Sequence, residues 1–155
     1  MEIFINKRFN GPPNSGNGGY VAGLIAKEIG KCCEVKLVAP PPLEKKLLLK
    51  KSNENYELYD GDTLVCIANT TTIDNDPCEF VSFSDALIGS KNGLSKFEPI
   101  HAMPDCFVCG PNRKEGDGLR LFTGPQDLNS KPSEDDLVST TWVPNKGLSS
   151  DGKYI

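Results

Sequence analysis

The run Asn14-Ser15-Gly16-Asn17-Gly18-Gly19 opens directly onto an apolar segment, Tyr20 to Ile29, and this junction limits what the chain can become. Just upstream, Pro12 and Pro13 fix φ and stop the strand-like run from Met1 to Phe9, in which Ile3 and Ile5 share one face and Phe4 takes the other. A loop that enters a helix in this way leaves first-turn N–H groups without intrahelical acceptors, so they can meet an anionic or carbonyl oxygen. Gly18 and Gly19 put no side chain in the path of that approach. The loop lacks the Gly-Lys-Ser/Thr ending of a Walker phosphate loop and the GxGxxG spacing of a dinucleotide site. The plainer alternative is a flexible strand-to-helix connection, because glycine-rich loops recur by chance.

The rest of the sequence narrows the setting. A net charge of −4 argues against a general binder of nucleic acid or anionic membranes. The densest basic run, LEKKLLLKKSN, alternates lysine with leucine and reads as a strand with solvated lysines. No stretch reaches the roughly 20 apolar residues needed to span a bilayer, and the N-terminal MEIFINKRF lacks the apolar core and cleavage site of an export signal. Of the six cysteines, Cys32 and Cys33 are adjacent and Cys66 sits inside an apolar strand pattern. These features together predict reduced thiols in a cytoplasmic protein.

Tyr20 to Ile29 is predicted as a helix that is apolar on most sides and largely buried, with Leu24 in the core and Gly30 as its stop. Glu34 to Val38 alternates like a half-buried strand, Pro40 to Pro42 mark an edge or bend, and Leu47 to Lys51 resumes as strand. Asn53-Glu54-Asn55 signals a turn. Asp60-Gly61-Asp62, between Tyr56–Tyr59 and Thr63–Ala68, is a strong hairpin signal. After a polar connection from Thr70 to Cys78, a short second helix is expected over Val81 to Ser90, capped by Ser82 or Ser84 and ended near Gly89 or Gly93. Lys91 to Asp117 reads as loop. Gly118–Phe122 and Leu137–Val143, the latter carrying Trp142, read as strands that join the first sheet or pair with another copy of the chain. One helix followed by an antiparallel meander favours an α+β class, with the helix packed on one sheet face.

The glycine loop, the helix and the meander together resemble the hotdog fold of acyl-CoA thioesterase-like proteins, in which a central helix is wrapped by a curved antiparallel sheet. In that family the helix opens with a His-Gly-Gly or similar triplet, and Asn17-Gly18-Gly19 stands in its place here. The stretch CFVCGPNRKEGDGLRLF likewise resembles the CFxCGPxNxxGLxLxF segment near the start of such a unit, through Cys106, Cys109, Gly110, Pro111, Gly118, Leu119 and Leu121. The resemblance implies a hotdog-like unit over residues 1–98 and the opening of a second over residues 99–155, as in a shortened double hotdog. It also implies pairing of units into a homo-oligomer, and an acyl thioester as the small-molecule partner, bound at Asn17, Gly18, Gly19 and Tyr20. Members that hydrolyse carry an Asp or Glu nine positions beyond the His. That position is Ala26 here, and Glu28, two positions further on, should lie about 200° round the helix from Ala26 and face elsewhere. Asn17 also replaces the His, so the resemblance implies binding without an identified catalytic residue, and no cofactor.

Other chemistry is weaker. Cys106 and Cys109 form a CxxC that His101 and Cys78 could complete as a zinc site, although a structural zinc site usually shows a second paired motif. A thioredoxin-like role would need the CxxC at a helix N-terminus. His101, between Pro99 and Pro104, has no acidic or nucleophilic partner fixed by spacing and reads as structural. Asp60 and Asp62 are explained by their turn, and Glu134-Asp135-Asp136 by a solvated loop. Three classes remain: a thioesterase-like enzyme, a non-catalytic acyl-binding module, and a metal-stapled interaction protein.

Overall fold

The computed structural model describes residues 1–74, 80–129, 137–150, 153 and 154. It divides into two compact units, Met1–Asp76 and Pro77–Ile155. The first is an α+β unit of five antiparallel strands and one helix. Strands β1 (Glu2–Phe4), β2 (Cys33–Leu37), β3 (Lys46–Ser52), β4 (Asn55–Asp60) and β5 (Thr63–Thr70) lie in the order β1-β3-β4-β5-β2. Helix α1 (Gly18–Ile29) is inserted between β1 and β2.

Register explains which residues meet the helix. Ile3 pairs with Leu47, Leu49 with Leu58, Leu58 with Cys66, and Tyr56 with Ala68. One sheet face is therefore a continuous apolar layer, and Val21 and Ile25 of α1 are buried with it. Strand β5 carries a bulge opposite Leu58/Tyr59. Two consecutive residues there, Val65 and Cys66, are both buried, which a regular alternation forbids. The Val65 carbonyl accepts the N–H groups of Val38 and Ala39 at 2.8 and 3.0 Å, which ties the exit of β2 to the bulge. The β4–β5 turn has Gly61 at φ +59°, as the Asp-Gly signal predicts. Gly30, at φ +73°, ends α1 with its N–H on the Ala26 carbonyl. The lysines of β3 are exposed, as its alternation requires.

Several expectations are corrected. Helix α1 begins at Gly18, and it is buried along one stripe only: Gly23, Lys27 and Glu28 are exposed, and Leu24 is half-buried against the core. Three glycines and a Lys-Glu pair leave α1 too few large apolar side chains to be covered on all sides. The segment 1–9 is not one strand, since a 3-10 turn, Lys7–Phe9, follows β1.

In the second unit, helix α2 runs over Phe83–Phe97, well beyond Ser90, so Lys91 to Phe97 is helix and not loop. Ser82 caps it, accepting the Asp85 N–H at 3.2 Å. Gly89 and Gly93 do not stop the helix; both are buried in its interior. A Cβ at Gly93 would stand 2.5 Å from the Phe122 carbonyl oxygen, and one at Gly89 would stand 2.8 Å from that of Gly124. This pair, four residues apart, lets α2 lie directly on backbone.

Gly118 to Phe122 is not a strand. Arg120 sits at φ +54°, outside the extended region, and the Leu119 and Leu121 N–H groups bond back to the carbonyls of Phe107 and Val108. Pairing begins two residues later, at β6 (Gly124–Pro125), and the expected Leu137–Val143 strand shrinks to β7 (Val138–Ser139). These two pair with each other and do not extend the five-stranded sheet. A further short pair, β8 (Ser149–Ser150) with β9 (Lys153–Tyr154), closes the unit. Part of the polar connection expected up to Cys78, and Glu134-Asp135-Asp136, lie outside the described residues.

Candidate functional site

The glycine loop is ordered, not flexible. The Gly11 N–H meets the Ser15 carbonyl at 2.9 Å, the Gly16 N–H meets that of Pro41 at 2.8 Å, and the Asn17 N–H meets that of Phe9 at 2.8 Å. Bridges between Asn10 and Gly16 and between Ser15 and Pro42 complete a compact knot, with Gly11, Ser15, Gly16 and Pro41 buried. Pro41 and Pro42, in the proline run expected to mark an edge or bend, thus hold the loop from the other side. Gly16 is required by packing: a Cβ there would stand 3.0 Å from Val21 Cγ2 and 3.2 Å from Ile5 Cγ2.

The knot delivers the first turn of α1 in a defined state. Asn17 is the N-cap, at φ −64° and ψ 129°, and its Oδ1 accepts the Tyr20 N–H at 3.1 Å. The Val21 N–H is taken by the Asn17 carbonyl at 3.0 Å. Gly18 and Gly19 are the first two helical residues, whose N–H groups have no acceptor within the helix. Gly19 is exposed, and a Cβ there would make only ordinary contact, 3.5 Å from Asn17 Oδ1. A Cβ at Gly18 would come within 3.2 Å of Leu37 Cδ1, so a half-exposed leucine of β2 flanks the turn.

Tyr20 stacks on Phe9, with ring centroids 3.9 Å apart and planes 8° from parallel. Burial raises the Tyr20 phenol above its ordinary value, and the positive charge of Arg8 lowers it in part. The phenol is thus a neutral donor at physiological pH. Arg8 also stands 5.8 Å from the Phe9 centroid, which places a cation beside the loop. No carboxylate occupies the first turn; Ala26 is half-buried and Glu28 is exposed. The four predicted residues thus lie together at one helix start, with hydrogen-bond donors and a nearby cation but no general base.

The CFVCGP segment is explained by backbone geometry. Gly110 bonds its N–H to the Cys106 carbonyl at 2.8 Å, and a Cβ on it would stand 2.5 Å from both Cys106 N and the Pro104 oxygen. At Gly118 a Cβ would stand 2.7 Å from the Phe107 oxygen. Arg113 holds the turn through the Asp105 carbonyl at 2.8 Å and Asp117 at 2.9 Å, and Arg120 donates to the carbonyls of Pro111 and Arg113. The Cys109 thiol is pushed up to about 11, first by burial and then by its hydrogen bond with Cys106, so it is protonated and a poor nucleophile. Among the described residues no three His, Cys, Asp or Glu side chains gather to hold a metal; Cys78 lies outside them. His101 Nδ1 accepts the Met103 N–H at 3.1 Å.

Among the described residues no helix is long and apolar enough to cross a membrane. Comparisons with protein-family models, curated proteins and solved structures give no match to this chain.

Proposed function

We propose that the first unit is a hotdog-like acyl-thioester-binding module, with the ligand carbonyl received by the N–H groups of Gly18 and Gly19. The observation that carries this reading is the division of labour in the first turn. Asn17 satisfies Tyr20 and Val21, while the two donors before them belong to glycines, one of them exposed. Donors held by a rigid loop suit a carbonyl oxygen, because little reorganisation accompanies binding. Leu37 offers apolar contact for an acyl chain, and Arg8 offers charge to an anionic carrier such as coenzyme A. The order of elements, one helix inserted after β1 and laid on a five-stranded antiparallel sheet, supports the hotdog assignment. Hydrolysis has no base on this reading, since Ala26 stands where the family's carboxylate falls. A cytoplasmic setting and assembly into a homo-oligomer accompany the proposal.

The test is Gly18→Pro. Asn17 already has the extended ψ that a following proline prefers, and the first helical position tolerates proline, so the variant removes one donor while keeping the helix. Hexanoyl-CoA measured by calorimetry is expected to bind the wild type, and to bind the variant about fivefold to tenfold more weakly at unchanged melting temperature. Equal affinity overturns the site. Turnover of hexanoyl-CoA by the wild type, persisting in Glu28→Ala, overturns the absence of a base.

A further inference from the structure

The second unit holds a partly open cavity of about 330 Å³, lined among the described residues by its own side chains and backbone. Leu94 and Phe97 of α2, with Ile100, Pro111, Leu121 and Phe122, make most of its wall. Its shape follows from two features already described. Gly93 seats α2 on the Phe122–Thr123 backbone, and the CFVCGP turn carries Cys109 and Pro111 to the opposite side. The volume is at the small end of the roughly 300–1,000 Å³ typical of ligand pockets, which suits a small guest.

Polar groups in the lining are few, and each restricts the guest. His101 Nδ1 accepts a backbone N–H, so the ring carries a proton on Nε2. Nε2 is then a donor. Glu98, exposed at the edge of the cavity, adds a negative charge there that disfavours an anionic head group. Cys109 lines it too, but its protonated thiol argues against covalent capture. We propose that this cavity binds a small neutral molecule with an apolar body and one carbonyl oxygen, which accepts a hydrogen bond from His101 Nε2. The site is separate in its residues from the glycine loop and does not depend on the reading given to that loop.

The experiment uses the full chain, isotope-labelled, titrated with 2-octanone and followed by NMR at the His101 ring and the Leu94 and Leu121 methyls. Saturable shifts confined to cavity residues are expected. Octanoate, matched in length but charged, is expected to bind about tenfold more weakly at pH 7.5, and His101→Phe to weaken 2-octanone about fivefold. Ala102 lines the cavity and is exposed, so Ala102→Trp can block it without disturbing the core, and is expected to abolish the shifts in an otherwise native spectrum. Unsaturable shifts scattered over apolar surface, or undiminished binding by Ala102→Trp, overturn the site. Octanoate binding as tightly as the ketone, with no effect of His101→Phe, overturns the head-group assignment. Gly18→Pro is expected to leave 2-octanone binding unchanged, so failure at one site is distinguishable from failure at the other.

Discussion

Phe9 and Tyr20 face each other as parallel rings 3.9 Å apart, and the Asn17 N–H bonds to the Phe9 carbonyl alongside them. One end of the glycine loop is therefore fastened to the other twice, once through backbone and once through side chains. The stack belongs to the first turn of α1, so its loss loosens the donors of Gly18 and Gly19 as well as the fold.

A double-mutant cycle measures that fastening. Phe9→Ala and Tyr20→Ala are each expected to lower the unfolding free energy, with a coupling of about 1 kcal/mol between them, the usual worth of an aromatic pair beyond its burial. Chemical denaturation of the four proteins gives the value. Additive losses would mean that the rings pack independently.

Neighbouring glycines of the loop predict opposite outcomes. Gly16→Ala forces a methyl against Val21 and Ile5, both fully buried, and is expected to cost about 1–2 kcal/mol. Gly19→Ala adds a methyl in ordinary contact at a helical position and is expected to be neutral or to stabilise by a few tenths of a kcal/mol. Thermal melts of both variants decide it, and a destabilised Gly19→Ala would contradict the exposed first turn.

How much of this was legible in the sequence depends on whether the deciding contact was local. The Asp60-Gly61-Asp62 turn, the helix stop at Gly30 and the alternation of β3 are set by near neighbours, and they were readable. Gly89 and Gly93 were read as terminators because glycine disfavours helix, but backbone from residues 122–124 fills the space a Cβ would need. Gly118-Leu119-Arg120-Leu121 alternates like a strand, yet its hydrogen bonds go to Phe107 and Val108, a pairing no period reveals. The knot around Ser15 escapes a local reading for the same reason, since the acceptor of the Gly16 N–H, Pro41, lies 25 residues beyond it. That Asn17, Gly18, Gly19 and Tyr20 share one helix start is legible because adjacency places them together. The cavity by His101 was not, because its wall comes from three separate segments.

The close seat of α2 has its own test. Gly93→Ala would place a methyl 2.5 Å from a carbonyl oxygen that cannot swing aside, so α2 must lift from β6 or the unit must distort. A loss of about 2–3 kcal/mol is expected, in the range of overpacked cores. Gly23→Ala, on the exposed side of α1 with open space around it, is expected to gain about 0.5–1 kcal/mol from helix propensity. Similar melting shifts in the two variants would contradict the seat.

The last prediction concerns pH. Cys66 is fully buried where β5 bulges, and burial pushes its thiol from 9.0 up to about 11. A raised folded-state value means that the folded protein holds the proton more tightly than the unfolded chain. The resulting stability is fully present below pH 9 and is lost as pH rises through about 11. Cys109, raised in the same direction, adds to the same window. The Cys66 share is expected to be on the order of 2 kcal/mol. Denaturant unfolding at pH 8, 9, 10 and 11 should therefore show a falling stability, with a shallower slope in Cys66→Val, whose buried group does not ionise. Equal slopes would place the thiol in contact with water, and the apolar layer around Cys66, which pairs with Leu58 on β4, would not be closed.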